Sequence, residues 1–201
     1  MKSILNSPKT RRHWLFILLP VCWLLLSSFS ELRADSYDAD FDRFGRRFLA
    51  HIPQANIWLT AQARQESALN PNAVSHAGAR GLMQIMPRTE VEIQNQLGLR
   101  CSAFNARCSI MMGSFYDSRM YRVWDRRERT VNEIIPLMFA SYNTGVGNVL
   151  KAQRLCFDGR LFEHIEPCLP AETRDYVPRI RNMYLDMNAD IFSDINDIVA
   201  G

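Results

Sequence analysis

The stretch RQESALNPNAVSHAGARGLMQIMP, residues 64–87, combines a single acid with a turn, a glycine-containing bend and an apolar run. Glu66 is the only carboxylate between Asp42 and Glu90, and the segment before it lacks glycine and fits a largely buried helix. Asn70-Pro71-Asn72 is a strong turn signal. A carboxyl group at the end of a buried helix is desolvated, which raises its pKa. A pKa raised from about 4.3 to about 6 would suit Glu66 to general acid catalysis near neutral pH.

The local pattern also has a simpler interpretation, a solvated glutamate at a helix end followed by an ordinary loop. In that interpretation Gly78 and Gly81 mark only a turn, and Ser75 and Gln84 make only local backbone hydrogen bonds. The local residues alone leave both interpretations open.

The longer pattern resembles the catalytic signature of the soluble lytic transglycosylase family, whose fold is similar to goose-type lysozyme. The matching positions are Glu66, Ser67, Pro71, Ala73, Ser75, Gly78, Ala79, Gly81, Leu82, Met83, Gln84, Met86 and Pro87. Two further matches follow in the family's order, Ala140-Ser141-Tyr142-Asn143-x-Gly145 and Glu172-Thr173-x-x-Tyr176-Val177. Ser141 departs from the family's usual Ala-Tyr-Asn, and we expect this small change not to matter. The resemblance covers roughly residues 50–185 and implies one mostly α-helical, lysozyme-like domain with a glycan-binding groove.

The resemblance implies a lytic transglycosylase that cleaves the β-1,4 bond between N-acetylmuramic acid and N-acetylglucosamine in peptidoglycan. Glu66 would act first as acid and then as base, and the product would carry a 1,6-anhydromuramoyl end. The substrate-binding residues that it implies are Ser75, Met83, Gln84, Tyr142, Asn143 and Tyr176, with Tyr142 bonded near the catalytic carboxyl. It implies no cofactor. The signature contains one carboxylate. This fits a reaction in which one residue serves as both acid and base, whereas most glycosidases need a pair of carboxylates.

Two alternatives differ in what the groove does. A lysozyme-type hydrolase on the same fold would use water and would need a second carboxylate, for which the sequence offers no good candidate. A non-catalytic peptidoglycan-binding module would not need Glu66. The products formed from peptidoglycan distinguish all three.

The charge of the chain is uneven. Five of its 24 basic residues but only one of its 21 acidic residues lie in the first 34 positions, so the remainder carries a net charge of about −1. The basic overall balance therefore gives no argument for nucleic acid as a partner.

Residues 1–34 are typical of an export signal, with a basic start, an apolar region from Trp14 to Leu26 and small residues after it. The apolar region is shorter than the roughly 20 residues of a comfortable bilayer span. We therefore expect a periplasmic protein, with an uncleaved leader that anchors it to the inner membrane as the alternative. The predicted organisation is a signal peptide (1–34), a linker and short helix (35–49), the catalytic domain (50–187) and a tail (188–201).

Four cysteines follow the leader: Cys101, Cys108, Cys156 and Cys168. An even number behind an export signal predicts disulfides in an oxidising compartment. Three pairings are possible, of which the sequential one closes two short loops. Neither pair has close Cys-x-x-Cys spacing and the histidines are scattered, so we predict no metal site.

The apolar periodicity predicts five further helical segments. They are a short helix holding Phe41, Phe44, Phe48 and Leu49, then residues 87–97 ended by Gly98, 109–124, 132–143 and 174–187.

The expected partner is the peptidoglycan glycan strand. A leader plus one catalytic domain, without a separate wall-binding module, suggests as a hypothesis that the enzyme opens the wall for a secretion, conjugation or pilus apparatus. Contact with a membrane is expected only through an uncleaved leader.

Overall fold

A computed structural model describes residues 37–125, 129–156 and 159–200. In these residues the chain is mostly helical, and its β-type pairing consists of isolated bridges between Val74, Arg80 and Ile85. The helices are α1 (37–48), α2 (Ala55–Ser67), α3 (Pro87–Leu97), α4 (Ala106–Trp124), α5 (Val131–Thr144), α6 (Val146–Leu155), α7 (Phe162–Ile165), a 3-10 turn (Glu166–Cys168) and α8 (Ala171–Ala200).

Helix α5 is the centre of the packing. It contacts α4, α6 and α8, and its apolar residues Ile134, Ile135, Leu137, Met138 and Phe139 are all buried. Its start is fixed by a reciprocal cap, in which Glu133 accepts hydrogen bonds from the backbone N–H and the hydroxyl of Thr130. The helix predicted for 132–143 is confirmed, one residue longer at each end.

Helix α3 has the predicted bounds because the backbone preferences of the residues at its two ends determine where it starts and stops. Pro87 supplies a fixed φ at the first helical position. Gly98 adopts the left-handed conformation (φ 65°) and donates its N–H to the carbonyl of Gln94. The predicted helix 87–97 is confirmed.

The first two helices also follow their apolar patterns. Phe41, Phe44 and Leu49 are buried, as expected for the short helix that covers the core. Helix α2, the largely buried helix expected before Glu66, begins at Ala55, and the residue before it, Gln54, adopts a left-handed backbone conformation.

Helix α8 is longer than predicted. It begins at Ala171 and continues to Ala200, whereas the periodicity indicated a helix from Arg174 to Met187. Residues 188–200, expected to form a tail, are therefore helical. The side chains of Val177 and Ile180 are buried against the rest of the domain, whereas Leu185 is exposed, so the helix outlasts its apolar contacts.

The structure contains two disulfides, Cys101–Cys108 and Cys156–Cys168. This is the sequential pairing among the three possibilities. The first joins the segment before α4 to the first turn of α4, and the second joins the end of α6 to the 3-10 turn.

The predicted leader (1–34) lies outside the described residues. Within the described part of the chain, no helix is both long enough and apolar enough to cross a bilayer. The same residues hold no group of three or more His, Cys, Asp or Glu side chains that could bind a metal ion.

Candidate active site

Glu66 lies in the last turn of α2, where the helix meets the loop at residues 68–86, called here the signature loop. Burial raises the pKa of its carboxyl group from 4.5 to about 7. The hydroxyl of Tyr176, on α8, donates a hydrogen bond to Glu66 Oε1 at 2.5 Å, which lowers the pKa, and the nearby negative charge of Glu172 raises it. A group with this pKa is partly protonated at neutral pH and can both give and accept a proton.

The signature loop is held by its own backbone and by left-handed residues. Ala68, Leu69 and Gln84 have positive φ without being glycine. Ser67 Oγ, next to the acid, donates to the carbonyl of Leu82 at 2.8 Å and so ties the helix end to the far side of the loop. These contacts fix the backbone around Glu66.

A second segment, residues 101–109, packs against the signature loop. A side chain on Gly81 would place its Cβ 1.8 Å from the carbonyl oxygen of Ala103, so glycine is required there. The backbone N–H of Met83 donates to Ser109 Oγ at 3.0 Å. The residue type at 81 is therefore set by this close approach as well as by its φ of 73°.

Glu90, in the first turn of α3, completes this support. The sequence gives it only a favourable position near the helix N-terminus, yet it is 6% exposed and accepts a hydrogen bond from the backbone N–H of Ala103 at 2.8 Å. The guanidinium of Arg80 lies 3.7 Å from its carboxylate. This structural role was missed because the partner is on a loop 13 residues away.

The two tyrosines of the predicted site have different hydrogen-bond partners. The Tyr142 hydroxyl donates to the carbonyl of Met83 at 2.7 Å, and the phenol lies close enough to Glu66 for the charge of that carboxyl group to raise its pKa. Tyr176 is the residue whose hydroxyl reaches Glu66. Burial and the charge of Glu66 raise the pKa of both phenols well above the ordinary value, so both act as neutral donors.

The other predicted substrate-binding residues make contacts within the protein. Ser75 Oγ accepts from the N–H of Ala79 at 3.0 Å, and Gln84 Nε2 donates to the carbonyls of Gly81 and Ala73. Both residues are half-buried. These are the local backbone bonds of the simpler interpretation, and they leave part of each side chain accessible.

Asn143 and Met83 differ in exposure. Asn143 is half-buried, accepts from the hydroxyl of Thr173 at 2.7 Å and donates to Glu172 at 3.4 Å, which joins α5 to α8. Met83 is fully buried, and a Cβ on Gly113 of α4 would lie within 2.9 Å of its side chain. Its side chain therefore supports the loop from beneath.

The family model of the Transglycosylase SLT domain matches residues 54–159, just over half of the chain. Among curated proteins, the chain is 35% identical over 156 residues to membrane-bound lytic murein transglycosylase F 2 of Alkalilimnicola ehrlichii, covering 69% of this chain and 32% of that protein. It is 37% identical over 101 residues to membrane-bound lytic murein transglycosylase F of Shewanella frigidimarina, covering 48% and 19%.

The solved structures that the chain resembles are also lytic transglycosylases. The 70 kDa soluble lytic transglycosylase SLT70 from Escherichia coli matches with a TM-score of 0.58 and 27% identity, over 71% of this chain and 23% of that one. An inactive Glu-to-Gln mutant of the lytic transglycosylase Slt from Pseudomonas aeruginosa matches with a TM-score of 0.63 and 26% identity, over 76% and 24%.

The chain spans about a third or less of the length of these relatives. The mostly helical, lysozyme-like fold expected from the sequence is confirmed by the structural matches. The chain belongs to the Transglycosylase SLT domain family.

Proposed function

We propose that the protein is a peptidoglycan lytic transglycosylase in which Glu66 is the catalytic acid and base. The observation that carries this proposal is the Glu66 carboxyl group itself, whose pKa is raised by burial to about 7 and which one phenol, Tyr176, holds in place. Membership of the family and the names of the matched relatives support the same chemistry.

The reaction is a transfer within one sugar. Protonated Glu66 gives its proton to the glycosidic oxygen between N-acetylmuramic acid and N-acetylglucosamine, and the bond from the anomeric carbon to that oxygen breaks. The carboxylate of Glu66 then takes the proton from the muramoyl C6 hydroxyl, and the oxygen of that hydroxyl bonds to the anomeric carbon. No water is consumed, Glu66 returns to its starting state, and a 1,6-anhydromuramoyl end remains.

In this proposal the residues that contact substrate are those whose side chains remain partly exposed. Ser75, Gln84, Tyr142 and Asn143 are half-buried and keep part of their surface available to a glycan. Tyr176 and Met83 are buried. We therefore assign to Tyr176 the role of holding the carboxyl group of Glu66, and to Met83 the role of supporting the signature loop.

The proposed location is the periplasm. The two disulfides fit an oxidising compartment, and peptidoglycan is accessible there. The role in opening the wall for a secretion, conjugation or pilus apparatus stays a prediction from the sequence. Loss of assembly of such an apparatus on deletion, restored by the wild-type but not by the Glu66→Gln protein, would support it.

The test of the activity is mass spectrometry of the products released from purified peptidoglycan by the wild-type and Glu66→Gln proteins. Anhydromuramoyl ends that require Glu66 would support the proposal. Reducing ends would show the hydrolase, and an absence of products from both proteins would favour the binding module.

A further inference from the structure

A second buried carboxyl group lies close to Glu66, and the proposed reaction does not use it. Asp117, on α4, is 0% exposed, and so is Gln62, on α2. Gln62 Nε2 donates a hydrogen bond to Asp117 Oδ1 at 3.3 Å. Gln62 precedes Glu66 by four residues, so the two side chains leave the same face of α2 one turn apart.

Each member of this pair retains one buried atom without a partner among the described residues. The atoms are Gln62 Oε1 and Asp117 Oδ2. An amide oxygen and an ionised carboxylate oxygen both only accept hydrogen bonds, so an ionised Asp117 leaves two buried acceptors unsatisfied. Such groups are costly in a protein interior.

A proton on Asp117 Oδ2 resolves both deficits. The carboxylic acid then has a donor as well as an acceptor, and the primary amide of Gln62 has the complementary set. With the existing bond from Nε2 to Oδ1, a bond from Oδ2–H to Gln62 Oε1 would complete a two-bond pair.

The charges around Asp117 favour the same state. The titratable groups that act on it or are acted on by it are Glu66 on α2, Tyr116 on α4, Tyr142 on α5 and Tyr176 on α8, and all of them are acids. Burial raises the pKa of Asp117 well above its ordinary value, the hydrogen bond from Gln62 lowers it, and the charge of Glu66 raises it further. In the described part of the chain no cation forms an ion pair with it.

We propose that Asp117 is a positioning residue that stays protonated at neutral pH, donates to Gln62 Oε1 and fixes the turn of α2 that carries Glu66. This rests on the proposed role of Glu66. The neutral pair joins α2 to α4 one helical turn before the acid and adds no negative charge at position 117. Glu66 therefore titrates without a charged carboxylate at position 117, and Asp117 does not serve as the second carboxylate that a hydrolase would need.

Infrared spectroscopy tests the protonation state independently of activity. At pH 7 the Glu66→Gln protein has no carboxyl group at position 66. We expect a carboxylic-acid C=O stretch to remain in this protein and to disappear in the double variant Glu66→Gln/Asp117→Asn. Its absence from the Glu66→Gln protein at pH 7 would overturn the proposal, whether or not the wild-type protein cleaves peptidoglycan.

Kinetics test the positioning role. Asp117→Leu removes the pair, and we expect the cleavage rate to fall roughly tenfold or more because the α2 turn is no longer fixed. Asp117→Asn can donate through its amide to Gln62 Oε1 and accept from Nε2, so we expect it to recover most of that loss. The pH at which its rate is half-maximal should equal that of the wild type.

Two kinetic results would overturn the proposal. If Asp117 were ionised, its replacement by Asn would remove a negative charge and lower the pKa of Glu66, so the alkaline limb of the pH profile would move to lower pH. Equal rates for Asp117→Leu and Asp117→Asn would show that the pair does not position the acid. If Asp117→Leu does not fold, Gln62→Met breaks the same pair from α2 and takes its place in this comparison.

Discussion

Glu66 and Glu90 stand on either side of the signature loop and lie in opposite surroundings. Glu90 accepts from the backbone N–H of Ala103 and lies near the guanidinium of Arg80, both of which stabilise a negative charge. The carboxyl group of Glu66 meets a neutral phenol, and the neighbouring Glu172 opposes its ionisation. Glu90 is 6% exposed and Glu66 is half-buried. The donors and charges around each carboxyl group, rather than its enclosure alone, separate the glutamate that holds the loop from the one that we propose exchanges a proton.

The largest effect is expected at Glu66. An amide cannot protonate a glycosidic oxygen, so Glu66→Gln should reduce the rate of muropeptide release by about 10²–10⁴. Soluble product measured against time gives the ratio. A Glu66→Gln protein with the wild-type rate would remove Glu66 from the mechanism.

The stability of the same variant gives a second signature. The folded-state pKa of about 7 exceeds the ordinary 4.5, so the stabilisation from the neutral form is complete below about pH 4.5 and is lost as the pH rises through 7. At pH 8, Glu66→Gln should be more stable than the wild type by roughly 1–3 kcal/mol, with little difference at pH 4.5. Urea denaturation at both values measures this; an equal gain at both would contradict the raised pKa.

Replacement of Glu90, in contrast to that of Glu66, should lower the stability of the protein. Glu90→Ala leaves the buried N–H of Ala103 without its acceptor, and we expect a loss of about 2 kcal/mol in the free energy of unfolding. Glu92, an exposed acid in the same helix, is paired with Arg119 at 2.8 Å and provides the control. Glu92→Ala should cost less than about 1 kcal/mol, as exposed ion pairs do. Equal losses for the two variants would remove the distinction.

Tyr176→Phe tests the donor that Glu66 does have. Its hydrogen bond lowers the pKa of Glu66, so its removal should move the alkaline limb of the pH–rate profile upward, by about one unit. Tyr142→Phe is the matched control, because that hydroxyl donates to the Met83 carbonyl instead. A downward shift in Tyr176→Phe, or an equal shift in both variants, would contradict the assignment.

The smallest effect is expected at Arg80. Its guanidinium is 3.7 Å from Glu90, and its side chain is 42% exposed. Arg80→Met should therefore lower the free energy of unfolding by less than about 1 kcal/mol. A loss as large as that of Glu90→Ala would mean that the ion pair, and not the backbone N–H, holds Glu90.

The sequence predicts the features whose causes are local. Helix α3 was bounded correctly because Pro87 and Gly98 set its ends through their own backbone preferences. The buried face of α5 follows from its apolar residues. Glu66 was singled out because it is an isolated acid within a long pattern of fixed register.

The features that the sequence did not predict depend on pairs distant in the chain. Asp117 is one of several polar residues in the sequence of α4, and its partner Gln62 lies 55 residues away in α2. The hydrogen-bond partners of Tyr142 and Tyr176 depend on how α5 and α8 pack against the signature loop. Both tyrosines lie in matched motifs, and no spacing along the chain tells which hydroxyl reaches the acid.

The Cys101–Cys108 bond has a consequence for how the protein matures. It closes the segment that contains Ala103, whose carbonyl covers Gly81 and whose N–H binds Glu90. While these thiols are reduced, that segment lacks its covalent closure, and the backbone that shapes the surroundings of Glu66 loses part of its restraint. Reduction of this one cysteine pair should therefore loosen the backbone around Gly81 and Glu90 without changing any residue of the signature loop.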